Sequence, residues 1–219
     1  MDFLFLKPVH EDLLKNRKGW FNHMYQASKT RRLILIAILA AISTVLMIFP
    51  VIPMFGGFMK LDFSIVIVLI GMYLLNLKGA LIILLLRSVL KVLLFNSGVS
   101  DWVGMPMNIV AMAVFISVIW FFTNKDQGLR VKNYVIGTVF GTLAMTGAMA
   151  LLNWVYAIPL YQKFANFSLQ AVGLNLRQWI IAMVLPFNLI QGFVLAIVSG
   201  LVIFPLASYL AQQQLRFKK

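Results

Sequence analysis

The sequence predicts an all-α membrane protein of six transmembrane helices with both termini in the cytoplasm. Three observations carry that prediction. The 219 residues are 62% hydrophobic and only 11% charged, whereas a soluble domain holds about 45–50% apolar and about 25% charged residues. So few charges would not cover the surface of so apolar a soluble chain, and a bilayer is its natural solvent. Apolar runs of helical length recur along the chain. The basic residues sit at the ends of those runs, and far more of them on one side than on the other.

A hydrocarbon core of about 30 Å needs roughly 20 apolar residues in a helix, with about 17 as the lower limit. The first candidate span is Leu33 to Phe49, closed by Pro50 and Pro53. The second runs from Leu61 to Leu77 and the third from Gly79 to Phe95, with little more than Leu77-Lys78 between them, so they form a tight helical hairpin. The fourth covers Val103 to Thr123, and the fifth Asn133 to Ile158, ended by Pro159. The sixth, Trp179 to Leu210, is long and interrupted by Pro186 and Pro205. No internal repeat relates the two halves, which disfavours an inverted-repeat transporter.

Orientation follows from Lys and Arg in the loops. Fourteen of them fall on one side: seven in residues 1–32, Lys78, Lys125, Arg130 and Lys132, and three in the tail. The other side holds Lys60, Lys163 and Arg177, while Arg87 and Lys91 lie inside span three. The first side is therefore cytoplasmic. The expected organisation is a cytoplasmic or interfacial arm over 1–32, a six-helix domain over 33–212 and a basic tail over 213–219. The arm interleaves Phe3, Leu6, Leu13, Trp20 and Phe21 with cations. It reads equally as an amphipathic interfacial helix or as a partly ordered arm. It lacks the short apolar stretch and cleavage site of a signal peptide.

The net charge of +13 does not point to nucleic acid, because the cations flank membrane spans rather than forming a patch. The absence of cysteine removes thiol chemistry and Cys-based metal sites. None of the six acidic residues falls mid-span and both histidines lie in the arm, which disfavours carboxylate-coupled secondary transport. There is no G-x-x-x-x-G-K-[ST] phosphate loop, no nucleophile–base pair and no metal-ligand spacing. The expectation is no catalytic residue, no metal and no cofactor: a binding protein, or the membrane subunit of a larger machine.

Polar side chains inside lipid are costly and mark function by default. Asn153 sits near the outward end of span five, and Asn188 and Gln191 in the outer half of span six. Arg87 and Lys91, four apart, share one face of span three. Lys91 has reach enough to snorkel outward, whereas Arg87 is too deep and calls for a buried partner, with Asp62 the candidate. Asn96 and Asn108 flank the outer loop after span three, as caps or as site residues. Lys60 and Asp62 open span two. Together these residues outline an outward-opening pocket amid aromatics such as Phe58, Trp102 and Trp154. Amides offer donor and acceptor together, which suits a neutral planar heterocycle; interhelical hydrogen bonding is the alternative use. Ala37 and Ala41 form a small-xxx-small pair in span one, continued by Ala40 and Thr44. Gly137, Gly141, Ala144 and Ala148 do the same in span five. One set would serve internal packing and the other an external partner.

On these features the chain resembles the S components of energy-coupling factor (ECF) vitamin transporters, which combine six helices, an A-x-x-x-A motif in the first and no ATPase. Phe58-Met59-Lys60-Leu61-Asp62-Phe63-Ser64 resembles the F-L-K-[IL]-D-F-S segment of riboflavin-specific members. Arg87-Ser88-Val89-Leu90-Lys91 and Gly104-Met105-Pro106-Met107-Asn108 also look like that family, and the likeness covers most of 33–210. The resemblance implies riboflavin as transported substrate, bound from outside. Lys60, Asn153, Asn188 and Gln191 match pocket-lining positions, Lys91 and Asn108 are looser matches, and Phe58 and Asp62 complete the set. Ala37 and Ala41 would face a transmembrane T protein coupled to two ATPases, in a bacterial plasma membrane. Rival expectations are an S component for another vitamin, a stand-alone facilitator or secondary carrier, and a membrane enzyme.

Overall fold

A computed structural model of the chain describes residues 29–49, 52–54, 59–124, 129–165, 168–170 and 173–218. The arm before residue 29, and with it Phe58 of the expected site, lies outside the described residues. Six principal helices are found among those residues. They are α1 (Lys29–Ile48), α2 (Ile65–Leu75), α3 (Leu77–Leu94), α4 (Val99–Thr123), α5 (Val131–Phe164) and α6 (176–218). A two-stranded antiparallel hairpin, β1 (Ile52–Met54) with β2 (Met59–Leu61), pairs Ile52 with Leu61 between α1 and α2.

Four of the helices, α1, α4, α5 and α6, are long and apolar enough to cross a membrane. The chain is an integral membrane protein. Leu33, Ile38, Val139, Phe193 and Leu201 are large, apolar and exposed, where a soluble protein would place charge. The core instead surrounds α2, which is apolar on every face and packed by α3, α4 and α6. Its Ile65, Val68, Leu69 and Met72 are wholly buried, as expected for a helix hydrophobic all round.

The structure departs from the expected spans at four places. Span two was expected from Leu61, but helix begins only at Ile65. Leu61 ends a strand, and Asp62 folds the next residues into a turn by accepting the Ser64 backbone N–H at 3.0 Å. Spans two and three are divided at Asn76 rather than at Leu77-Lys78. Asn76 takes a positive φ of 89°, which Asn tolerates better than most residues, and its side chain accepts the Gly79 N–H of α3 at 3.2 Å. Arg32 on α1 donates to the Leu75 carbonyl at 2.8 Å, covering the C-terminal end of α2. The expected tail from residue 213 is, to Lys218, a continuation of α6.

The fourth departure concerns proline. Span five was expected to stop at Pro159, yet α5 continues to Phe164 through a π-helical turn over Asn153–Ala157. In α6 a second π turn, Ile180–Val184, leads into Pro186. Proline lacks an N–H and its ring collides with the carbonyl four residues back. In both helices the N–H just before the proline reaches one residue further instead, Ile158 to Asn153 and Leu185 to Ile180. The wider turn makes room for the ring, so both helices continue.

Glycine sets the approach of α4, α5 and α6. A Cβ on Gly137 or Gly141 of α5 would stand 3.2 Å from Ile119 or Phe115 of α4. A Cβ on Gly192 of α6 would fall 2.4 Å from Thr142 of α5. Gly137 and Gly141 of span five thus serve internal packing. On α1, Ala37 and Ala41 are exposed beside Ile34, Ile38 and Val45. Ala40 and Thr44 do not continue that strip. They lie about 60° round the helix from Ala37 and Ala41 respectively, on the flank that packs inward, and are buried.

Candidate functional site

The three amides expected to gather do so on adjoining helices, at the turns where those helices are distorted. Asn153 opens the π turn of α5 and is 6% exposed. Asn188 and Gln191 follow the π turn of α6 and are 1% and 4% exposed. The two π turns touch. Asn153 spends one N–H on the Met149 carbonyl at 2.9 Å, and Asn188 one on Val184 at 2.7 Å. Each bond reaches four residues back and fixes the side chain along its own helix. The Oδ1 atoms of both residues and the whole Gln191 amide make no hydrogen bond among the described residues. None of these unpartnered atoms is fully buried, so the three nearly buried residues keep accessible acceptors and donors to spare. Around them Ile158, Trp179 and Val184 form one apolar cluster, and Val103, Met107 and Ala157 another.

The second group gathers on α3. Arg87, wholly buried, donates from Nη1 to Asp62 Oδ2 at 2.9 Å and from Nη2 to Asn108 Oδ1 at 2.8 Å. Asn108 Nδ2 returns a bond to Asp62 Oδ2 at 3.1 Å. The other carboxylate oxygen takes the N–H and hydroxyl of Ser64. Asp62 is therefore the partner that Arg87 called for, and both Asp62 and Asn108 are engaged by protein. One turn on, Lys91 pairs with Asp101 of α4 instead of reaching to solvent, and Asp101 also accepts the Ser97 N–H at 2.5 Å. Asn96 accepts the Gly98 N–H at 2.8 Å, the loop role open to it. Lys60 is exposed, and among the described residues no hydrogen bond links the α3 group to the three amides.

Some residues of this region escaped sequence reading. Asp101 was counted only as an acid outside the spans. Ser43 looks like an ordinary small residue in an apolar run, and Ser64 enters only as the end of the segment that carries the family resemblance. The π turns have a signal in Pro159 and Pro186, although by local rules alone the first ends a helix and the second interrupts one. A separate groove of about 390 Å³ lies between α4 and α5, lined by Ser117, Val118, Phe121, Phe122, Phe140 and Ala144. It contains none of the expected site residues.

Fold and site together define a helical membrane protein with unspent amides sequestered inside its bundle. The family model for the ECF transporter, substrate-specific component, matches residues 31–203, and the chain belongs to that family. It is 44% identical over 197 residues to the riboflavin transporter RibU of Streptococcus thermophilus, covering 89% of this chain and 90% of that one. It is 29% identical to the riboflavin transporter FmnP of Bacillus subtilis, covering 85% and 97%. Among solved structures, the S component of a bacterial ECF transporter superposes with a TM-score of 0.68 at 28% identity, covering 83% of this chain and 98% of that one.

Proposed function

We propose that this chain is the riboflavin-binding S component of an ECF-type importer in a bacterial plasma membrane. The observation that carries the reading is its 44% identity to a riboflavin transporter across nearly the whole of both chains. The amides support it. Riboflavin is neutral and planar, with carbonyl and N–H groups on its ring edge and hydroxyls on its side chain, and Asn153, Asn188 and Gln191 hold the complementary groups. Lys60 and Phe58 stand with them as substrate contacts. Asp62, Lys91 and Asn108 belong to the site through the side chains they hold.

In this reading all six helices cross the membrane and both termini are cytoplasmic. The eleven residues of α2 rise only about 16 Å, but neighbouring helices enclose α2, so it need not match the bilayer alone. The cations of α3 are tolerable because Asp62 and Asp101 neutralise them. The six-helix domain spans 33–212, and the basic arm and tail lie on the cytoplasmic side. The exposed Ala37 and Ala41 form the docking strip for a T protein coupled to two ATP-binding subunits.

Purified protein loaded with riboflavin is expected to be yellow and to quench flavin fluorescence on titration. Colourless protein with no quenching overturns the proposal. For the docking strip, Ala41→Trp is expected to leave flavin binding intact and to abolish uptake by the assembled importer, because the indole blocks close helix approach.

A further inference from the structure

We infer that Arg87 is a positioning residue whose hydrogen-bond network ties the substrate pocket to the exposed face of α1, so that filling the pocket moves that face. The inference rests on the flavin-binding reading above. Its first link is Ser43 on the buried side of α1, which donates its hydroxyl to the Ser64 carbonyl at 2.9 Å. Beside it Thr44 reaches the Arg87 carbonyl at 3.4 Å while bonding Ala40 at 2.8 Å. Ser64 and Arg87 are two of the three residues that hold Asp62, Asn108 being the third. Ser43, Ser64 and Arg87 are each wholly buried, and Thr44 and Asp62 nearly so.

From Asp62 the network reaches Asn108 on α4. The preceding residue, Met107, packs with Ala157 inside the π turn that Asn153 opens. A path thus runs from a pocket amide to α1, along the π turn from Asn153 to Ala157, across one packed contact to Met107, along the backbone to Asn108, and from there through hydrogen bonds. The exposed side of the same α1 turn carries Ala41 and Val45. Buried networks of this kind are stiff when complete. This one is incomplete: Arg87 Nε is buried with no hydrogen-bond partner among the described residues. A network with an unspent donor has a second arrangement to adopt when a neighbour shifts, and coupling between sites requires such an alternative.

The test uses the full chain in lipid nanodiscs. The sequence has no cysteine, so Ala37→Cys gives one attachment point on the exposed face for a far-red, environment-sensitive dye. Riboflavin is titrated while flavin quenching and dye emission are read together. The expected result is a saturable dye response with the same midpoint as flavin quenching. Ser43→Ala combined with Thr44→Val should lose most of that response. Its flavin affinity should stay within about threefold of the parent, below the roughly fivefold that marks linked sites. Arg87→Lys keeps the charge beside Asp62 but not the second donor to Asn108; it should shrink the response and weaken flavin binding together. If the double substitution does not fold, Ser43→Ala alone carries the test.

Flavin binding with no dye response overturns the inference and leaves the function standing. A response that survives in the Ser43 and Thr44 variants also overturns it. Absence of flavin binding in the parent overturns both.

Discussion

The α3 face and the α5–α6 seam solve opposite problems with polar groups at similar burial. On α3 every acidic group is matched. Arg87 and Lys91, one turn apart, each take a carboxylate from a neighbouring segment, and Asn108 closes the inner pair. On the seam the amides spend one N–H each on their own helices, or none, and keep the rest. Paired polar groups rigidify: the α3 carboxylates are paired, with Arg87 Nε the donor of that group left without a partner among the described residues, whereas the seam amides keep several groups to spare. Under the proposed function α3 is scaffold and the seam is recognition, although both carry residues that sequence alone groups into one pocket.

The largest expected effect breaks the scaffold. Arg87→Leu leaves the Asp62 carboxylate buried without its cation, at a cost of about 3–5 kcal/mol. Thermal unfolding of the flavin-free protein should show it, and adding Asp62→Asn should recover part of the loss. No recovery would place the effect in packing. Next comes the seam's closest approach. Gly192→Leu drives side-chain atoms into Thr142, where even a Cβ stands at 2.4 Å, and overpacking of this kind costs about 1–3 kcal/mol. Unfolding in detergent measures it.

The third prediction sharpens the contrast directly. Asn153→Ala should weaken flavin binding by about 1–3 kcal/mol in a fluorescence titration, while the melting temperature of the empty protein hardly moves. A stability loss with unchanged affinity would return Asn153 to the scaffold. The smallest effect is at the rim. Lys91 and Asp101 keep 15% and 12% side-chain exposure, a partly wet pair at the edge of the bundle. Lys91→Gln should shift unfolding far less than Arg87→Leu does, and the same melting series ranks the two.

Much of this was legible beforehand, for physical reasons. Helix α4 and the membrane character followed from runs too apolar for water. The Arg87–Asp62 pair followed from the depth of a charge that lipid does not tolerate alone. Burial of Asn153, Asn188 and Gln191 was foreseeable because amides in apolar helices seek one another or a ligand. The pairing of Ile52–Met54 with Met59–Leu61 was not, since Pro50 and Pro53 read only as the end of span one. Nor was the continuation of α5 through Pro159, because a proline's local cost predicts a stop and only packing with α4 and α6 favours the π turn instead.

What the sequence determined by itself was the solvent, the family and the inventory of polar groups, since each depends on composition and local order along the chain. Tertiary structure decided how those groups divide. Asp62 and Asn108 became scaffold because α3 brings Arg87 between them. Ala40 and Thr44 turned inward while Ala37 and Ala41 stayed exposed. The three amides came together because the helices that carry them meet at their π turns. Each outcome depends on which helix lies next to which, and hydrogen bonds across helices are settled only when the bundle closes.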